Sequence, residues 1–157
     1  MGFIAGRYTG TWNAAAIGQT AEGFTLSHQF FKRLITGDAY GEAPQDAVYR
    51  GAAVEVGWRS IEYNAAAIAG LIWPYNGTLL DMGTVGRLDY GSSLAKQLVL
   101  TAVAGTPAAA APASVTLTLT ILKEGFPVDM LFAPDLREVP LRLRAYPNTS
   151  GVFGAFA

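Results

Sequence analysis

The residues able to act as acids, bases, nucleophiles or ligands are few in this chain of 157 residues, and they are scattered. Proton transfer near neutral pH is most often the work of an imidazole, and His28 is the only histidine. It stands in the alternating stretch Phe24-Thr25-Leu26-Ser27-His28-Gln29-Phe30, where a packed ring is its ordinary role. With no cysteine, disulfides, thiolate nucleophiles and cysteine metal sites are excluded, and a single histidine leaves almost no nitrogen ligands for a metal. Ser93 and Lys96 form a Ser-x-x-Lys string of the kind serine acyltransferases use, but no companion motif follows it. Gly83-Thr84-Val85-Gly86-Arg87 lacks the Gly-Lys-Ser/Thr ending of a phosphate loop. Asp38, Glu42 and Asp46 fall among glycines, yet calcium loops place ligands at alternate residues, and Lys32, Arg33 and Arg50 stand close as counter-charges. No pair of acids is marked out for glycoside hydrolysis. Arg137, Arg142, Arg144 and Tyr146 interleave basic and aromatic groups in the manner of a nucleic-acid stripe. Asp135 and Glu138 among them favour a solvated strand face or a salt-bridged subunit contact instead. The expectation is a protein without catalytic residues, metal or cofactor.

Composition points the same way. Eleven basic and twelve acidic residues give a formal net charge of -1, so the chain has no global electrostatic footprint for nucleic acid. Hydrophobic residues make up 51% and charged residues 15%, with a mean hydropathy of +0.27. One domain of this size cannot bury so much apolar surface by itself, and apolar patches left outside mark interfaces. The first residues, Met1-Gly2-Phe3-Ile4-Ala5-Gly6-Arg7, lack the charged start and apolar core of a signal peptide, and no apolar run approaches the roughly 20 residues of a membrane helix. The sequence is therefore expected to be soluble and intracellular where it is made.

The elements that would position these side chains are mostly strands. Tyr8 to Trp12 alternates bulky and small groups, and Gly23 to Ile35 puts Phe24, Leu26, His28 and Phe30 on one face before the alternation blurs. A polar, glycine-punctuated stretch whose charges alternate in sign, residues 37–51, is read as a long loop with a task of its own. Val54, Val56, Trp58 and Ser60 then face one way and Glu55, Arg59 and Ile61 the other. Asn64 is a candidate N-cap for a helix over residues 65–73 that Pro74 ends, with Ile68, Leu71 and Ile72 as its packed stripe. Gln97 to Val103, Val115 to Ile121, Phe126 to Phe132 and a segment carrying Val139, Leu141, Leu143 and Ala145 complete the strands. Residues 105–113 form an Ala/Pro surface loop, and residues 150–157 an arm that docks elsewhere. The fold class expected is a mainly β, antiparallel sandwich or barrel with one short α-helix packed on it, in a single domain spanning residues 1–157.

Two stretches carry a resemblance. The run from Leu34-Ile35-Thr36-Gly37-Asp38-Ala39-Tyr40-Gly41-Glu42 to Arg50-Gly51, followed by a strand and a short helix ending in Trp73-Pro74, resembles the tail tube proteins of long-tailed bacteriophages. Phe132-Ala133-Pro134-Asp135-Leu136-Arg137-Glu138-Val139-Pro140 and the residues on to Pro147 look like the closing strand of that family. The resemblance implies a virion structural protein, made in the host cytoplasm and built into the tail. Its partners would be copies of itself in stacked, hexameric rings, sheath, neck or baseplate proteins, and DNA passing non-specifically through the channel, with no membrane. It assigns ring stacking to the loop residues Asp38, Tyr40, Glu42, Asp46 and Arg50, and bridging of neighbours to the termini. The Ala/Pro stretch and the arginine-bearing last strand leave a related role open, as a neck, connector or capsid-decorating protein.

Overall fold

The computed structural model describes residues 7–62, 67–76, 83–103, 113–129 and 138–157. The elements are β1 (Tyr8–Trp12), β2 (Ala15–Ala16), β3 (Thr20–Thr36), β4 (Pro44–Ser60), α1 (Ile68–Ile72), β5 (Lys96–Ala102), β6 (Ser114–Leu122), β7 (Val139–Tyr146) and β8 (Gly154–Phe156). The strands form one antiparallel eight-stranded sheet in the order β2-β1-β5-β6-β7-β4-β3, with β8 also pairing β6. The two ends of this order, β2 and β3, are joined by Ile17, Gly18 and Gln19 alone. So short a tether brings the sheet round on itself, giving the barrel-like fold with little helix that the alternation predicts.

Period-two patterning decides which side is buried. Leu98 and Leu100 of β5 lie opposite Leu117 and Val115 of β6, while Val56 and Trp58 of β4 lie opposite Leu143 and Leu141 of β7. All eight side chains are buried in one cluster, which α1 covers with Ile68, Leu71 and Ile72. Gly70 lets the helix approach the ring of Trp12, since a Cβ there would stand 3.1 Å from the indole.

A register shift between β5 and β6 interrupts the alternation of apolar residues and threonines in β6. Thr116 and Thr118 lie on the side away from the core, but past the shift Thr120 turns inward, where it is fully buried. There the indole N–H of Trp12 donates to its hydroxyl at 3.2 Å and its carbonyl at 3.3 Å, and the hydroxyl donates to the Lys96 carbonyl at 2.8 Å. Three strands are thereby tied by one side chain.

Four further expectations need revision or fall outside the described residues. Residues 37–51 are not one loop: a 3-10 turn, Asp38–Tyr40, and a short connection lead into β4, which already begins at Pro44. Cross-strand pairing with β3 makes a strand of a stretch whose charges and glycines suggest otherwise. Phe126 to Asp129 form no strand, and Met130 onward lies outside the described residues. The C-terminal residues do not reach away from their own chain: β8 adds to β6 beside β7, with Gly154 packed so tightly over the Thr116 carbonyl that no Cβ would fit. Asn64, most of the Ala/Pro stretch, and Pro134 to Arg137 lie outside the described residues.

Candidate assembly surface

Strands β3 and β4 are 17 residues each, about three times the usual strand length. Their pairing runs from Thr20↔Ser60 to Thr36↔Pro44, whereas β7 covers β4 only from Val54 to Ser60. Past Val54 the two strands leave the body as a two-stranded arm, about 25 Å long at the ordinary rise per residue. Among the described residues no strand pairs with the outer edge of β3.

The arm carries large apolar side chains on both of its faces. Its β3 strand places His28, Phe30, Lys32 and Leu34 on the face that continues the buried side of the sheet, and Phe31, Arg33 and Ile35 on the other. Phe30 is 57% exposed, Leu34 61% and Phe31 48%. Phe30 gathers the only aromatic neighbours on that face of the arm: its ring lies 4.8 Å from His28 and 5.9 Å, edge on, from Tyr49. A two-stranded ribbon has no layer to bury either face, so this apolar surface stays open to solvent in the isolated chain.

Of the five residues expected at a stacking loop, Asp38 and Tyr40 lie in the 3-10 turn at the tip, with Tyr40 73% exposed, and Glu42 is exposed beside them. Asp46 is on the shaft, opposite Ile35, where its carboxylate accepts the Ala47 N–H at 2.7 Å. Arg50 occupies a bulge between the pairs Phe31↔Gly51 and Lys32↔Tyr49. Gly51 has φ +130°, a backbone setting that explains the glycine there. The five therefore spread along the arm, with three at its tip and two on its shaft.

At the root of the arm the two ends of the sheet leave a cleft of about 1000 Å³ between β1 and the first half of β3. Phe24, Leu26, Leu100 and Val115 make its apolar floor, with Glu22, Glu62, Arg7 and His28 around it. A bulge between Ala21 and Thr25 shapes this wall. Glu22 takes φ +64° and Gly23 φ +79°, which turns Phe24 onto Trp58, 5.4 Å between ring centroids, and leaves Glu22 at the surface. Glu62 accepts the Gln19 N–H at 3.0 Å and so pins the tether between the sheet ends.

The opposite face of β4 and β7 holds a charge cluster that the sequence marks only as alternation. Glu55, its side chain 12% exposed, meets Lys123 at 2.9 Å, Arg142 at 2.6 Å and Arg144 at 3.8 Å. Arg142 crosses Gly57 to reach it, and a Cβ on Gly57 would stand 3.4 Å from the guanidinium. The Lys123 ammonium, and Arg142 with it, hold the Glu55 carboxyl below the ordinary range despite its burial. Beside this cluster Asp89 accepts hydrogen bonds from two phenols, Tyr75 at 2.5 Å and Tyr146 at 2.6 Å. Burial first, and then Asp89, push the Tyr146 phenol up to about 12 and Tyr75 higher still. The two networks clamp the 83–95 segment and the end of β6 to the sheet, with the Arg144 Nε left buried and without a hydrogen-bond partner.

His28 touches a phenylalanine ring at the cleft, and Ser93 and Lys96 sit at the end of a turn and the start of β5, with Ser93 at φ +55°. Among the described residues no group of three or more acids and histidines converges as metal ligands would, and no helix is long and apolar enough to cross a membrane. Neither protein-family models nor curated protein sequences match this chain. The surface that stands out is a protruding apolar arm rooted beside an open cleft.

Proposed function

We propose that this chain is a self-assembling structural subunit, a virion protein of the tail tube type whose copies join into stacked, hexameric rings around a DNA channel. The observation that carries this reading is the arm of β3 and β4, with its open strand edge and its apolar side chains on both faces. An edge of this length invites strand addition, and a soluble monomer normally blunts such an edge or covers it. The near-zero net charge supports the reading, because copies repel one another weakly and DNA slides past without strong attraction. The arm tip, with Asp38, Tyr40 and Glu42, reaches the neighbouring ring, where its charges set register more than affinity.

Electron microscopy of the purified protein over a concentration series tests the proposal. Hollow rods or rings are expected, and replacement of Asp38, Glu42 and Asp46 by their amides should leave rings that no longer stack. A protein that stays monomeric at every concentration and coats only preformed capsids would overturn it in favour of a decorating protein.

A further inference from the structure

Two features of this molecule complement each other without touching. The arm is an apolar ribbon that lacks cover, and the cleft is an apolar slot between strand edges. We propose that the arm of one copy seats in the cleft of the next, lying along the outer edge of β3 and laying Phe30 and Leu34 on the floor formed by Phe24, Leu26, Leu100 and Val115. This deepens the assembly reading above by naming where the arm lands, and it rests on self-association but not on a tube.

The charges agree in sign. The shaft of the arm bears Lys32, Arg33 and Arg50 against the single acid Asp46, and the cleft presents Glu22 and Glu62 against the single base Arg7, so the arm carries an excess of positive charge and the cleft an excess of negative. Glu22 has little competing claim on it: its side chain is 80% exposed and its ion pair with Arg59 is long at 3.9 Å. A strand laid against β3 also satisfies backbone groups along an edge that no described strand covers, which supplies affinity in the manner of β-augmentation. Because arm and cleft are different surfaces of one molecule, the contact is head to tail. Each copy gives one arm and receives one, so the series closes as a ring or continues as a filament.

The chain has no cysteine, so engineered thiols report the contact cleanly. Leu34 on the arm and Thr9 on the cleft wall are both exposed, and their replacement leaves the core intact. L34C and T9C proteins are mixed under oxidised glutathione and resolved without reductant. The mixture should give covalent dimers on the order of a thousandfold faster than either variant alone, because docking raises the effective thiol concentration from micromolar to about millimolar. The L34C/T9C double variant should give a ladder of higher oligomers. Fast L34C self-linking would overturn the proposal in favour of arm-to-arm contact, and so would assembly by sedimentation without any cross-link to Thr9→Cys. If rods form without that cross-link, the tube reading survives and this one fails; a ladder without hollow rods sustains this one and removes the tube.

Discussion

Replacing Phe30 and Leu34 together by serine separates the arm's role in association from any role in folding. In the isolated chain these side chains are 57% and 61% exposed, on the same face of a ribbon that no other element covers. Full burial of a Phe or Leu side chain is worth about 1.5–3 kcal/mol, so completing the burial of the exposed fraction contributes about 1.3 kcal/mol for each. The pair should cost about 2.5 kcal/mol per contact, a roughly 70-fold rise in the dissociation constant. Monomer stability should change by less than about 0.5 kcal/mol for each exposed position. Sedimentation velocity over a concentration series reads the first quantity and denaturant unfolding at low concentration reads the second. Unchanged self-association would refute the argument, and so would a large loss of monomer stability, which would mean that the arm folds against its own body.

Four other outcomes follow from the two polar networks and one turn. Glu55→Gln leaves Lys123, Arg142 and Arg144 facing one another; with partners about 30% exposed and therefore screened, the loss in chemical denaturation should be about 2 kcal/mol, below the roughly 3–5 kcal/mol of a fully buried pair. Because the Glu55 carboxyl titrates below its ordinary 4.5 when folded, its contribution is present above that pH and is lost as pH falls through and below it; melting curves of Glu55→Gln should show a shallower acid limb. The Tyr75 and Tyr146 phenols titrate higher folded than unfolded, so stability should hold below about pH 10 and fall as pH rises from there towards 12, with Tyr146→Phe losing part of that slope. Asn13 and Ala14 both take positive φ in the two-residue turn between β1 and β2, and Ala14, at φ +62°, lacks the side-chain tolerance of asparagine. Ala14→Gly should stabilise the chain by about 1 kcal/mol in thermal unfolding.

How much of this was legible beforehand depended on whether a segment has one wet face. Val54 to Ser60 and Val139 to Ala145 alternate strictly because each buries one side of its strand, and their faces read directly from the sequence. Phe30 to Ile35 loses that period because neither face of a free ribbon is buried, and the same blur that hides the strand marks the assembly surface. Pro44 to Gly51 reads as a loop from its composition, and only its pairing with β3, a tertiary fact, makes it strand. The inward turn of Thr120 depends on a register shift that leaves no local trace in the sequence. The Asp89 hub joins Tyr75 and Tyr146, which lie 14 and 57 residues away, so spacing could not reveal it.

The order of strands also sets a timetable. On one side of β7 stand β2, β1, β5 and β6, and on the other β4 and β3; among the described residues no other strand joins the two groups. During synthesis the hairpin of β3 and β4 is complete at Ser60, but its only lateral support arrives with Val139, about 4–16 s later at ordinary elongation rates. For that interval each nascent chain on a polysome displays its apolar ribbon before the strand that anchors it has been made.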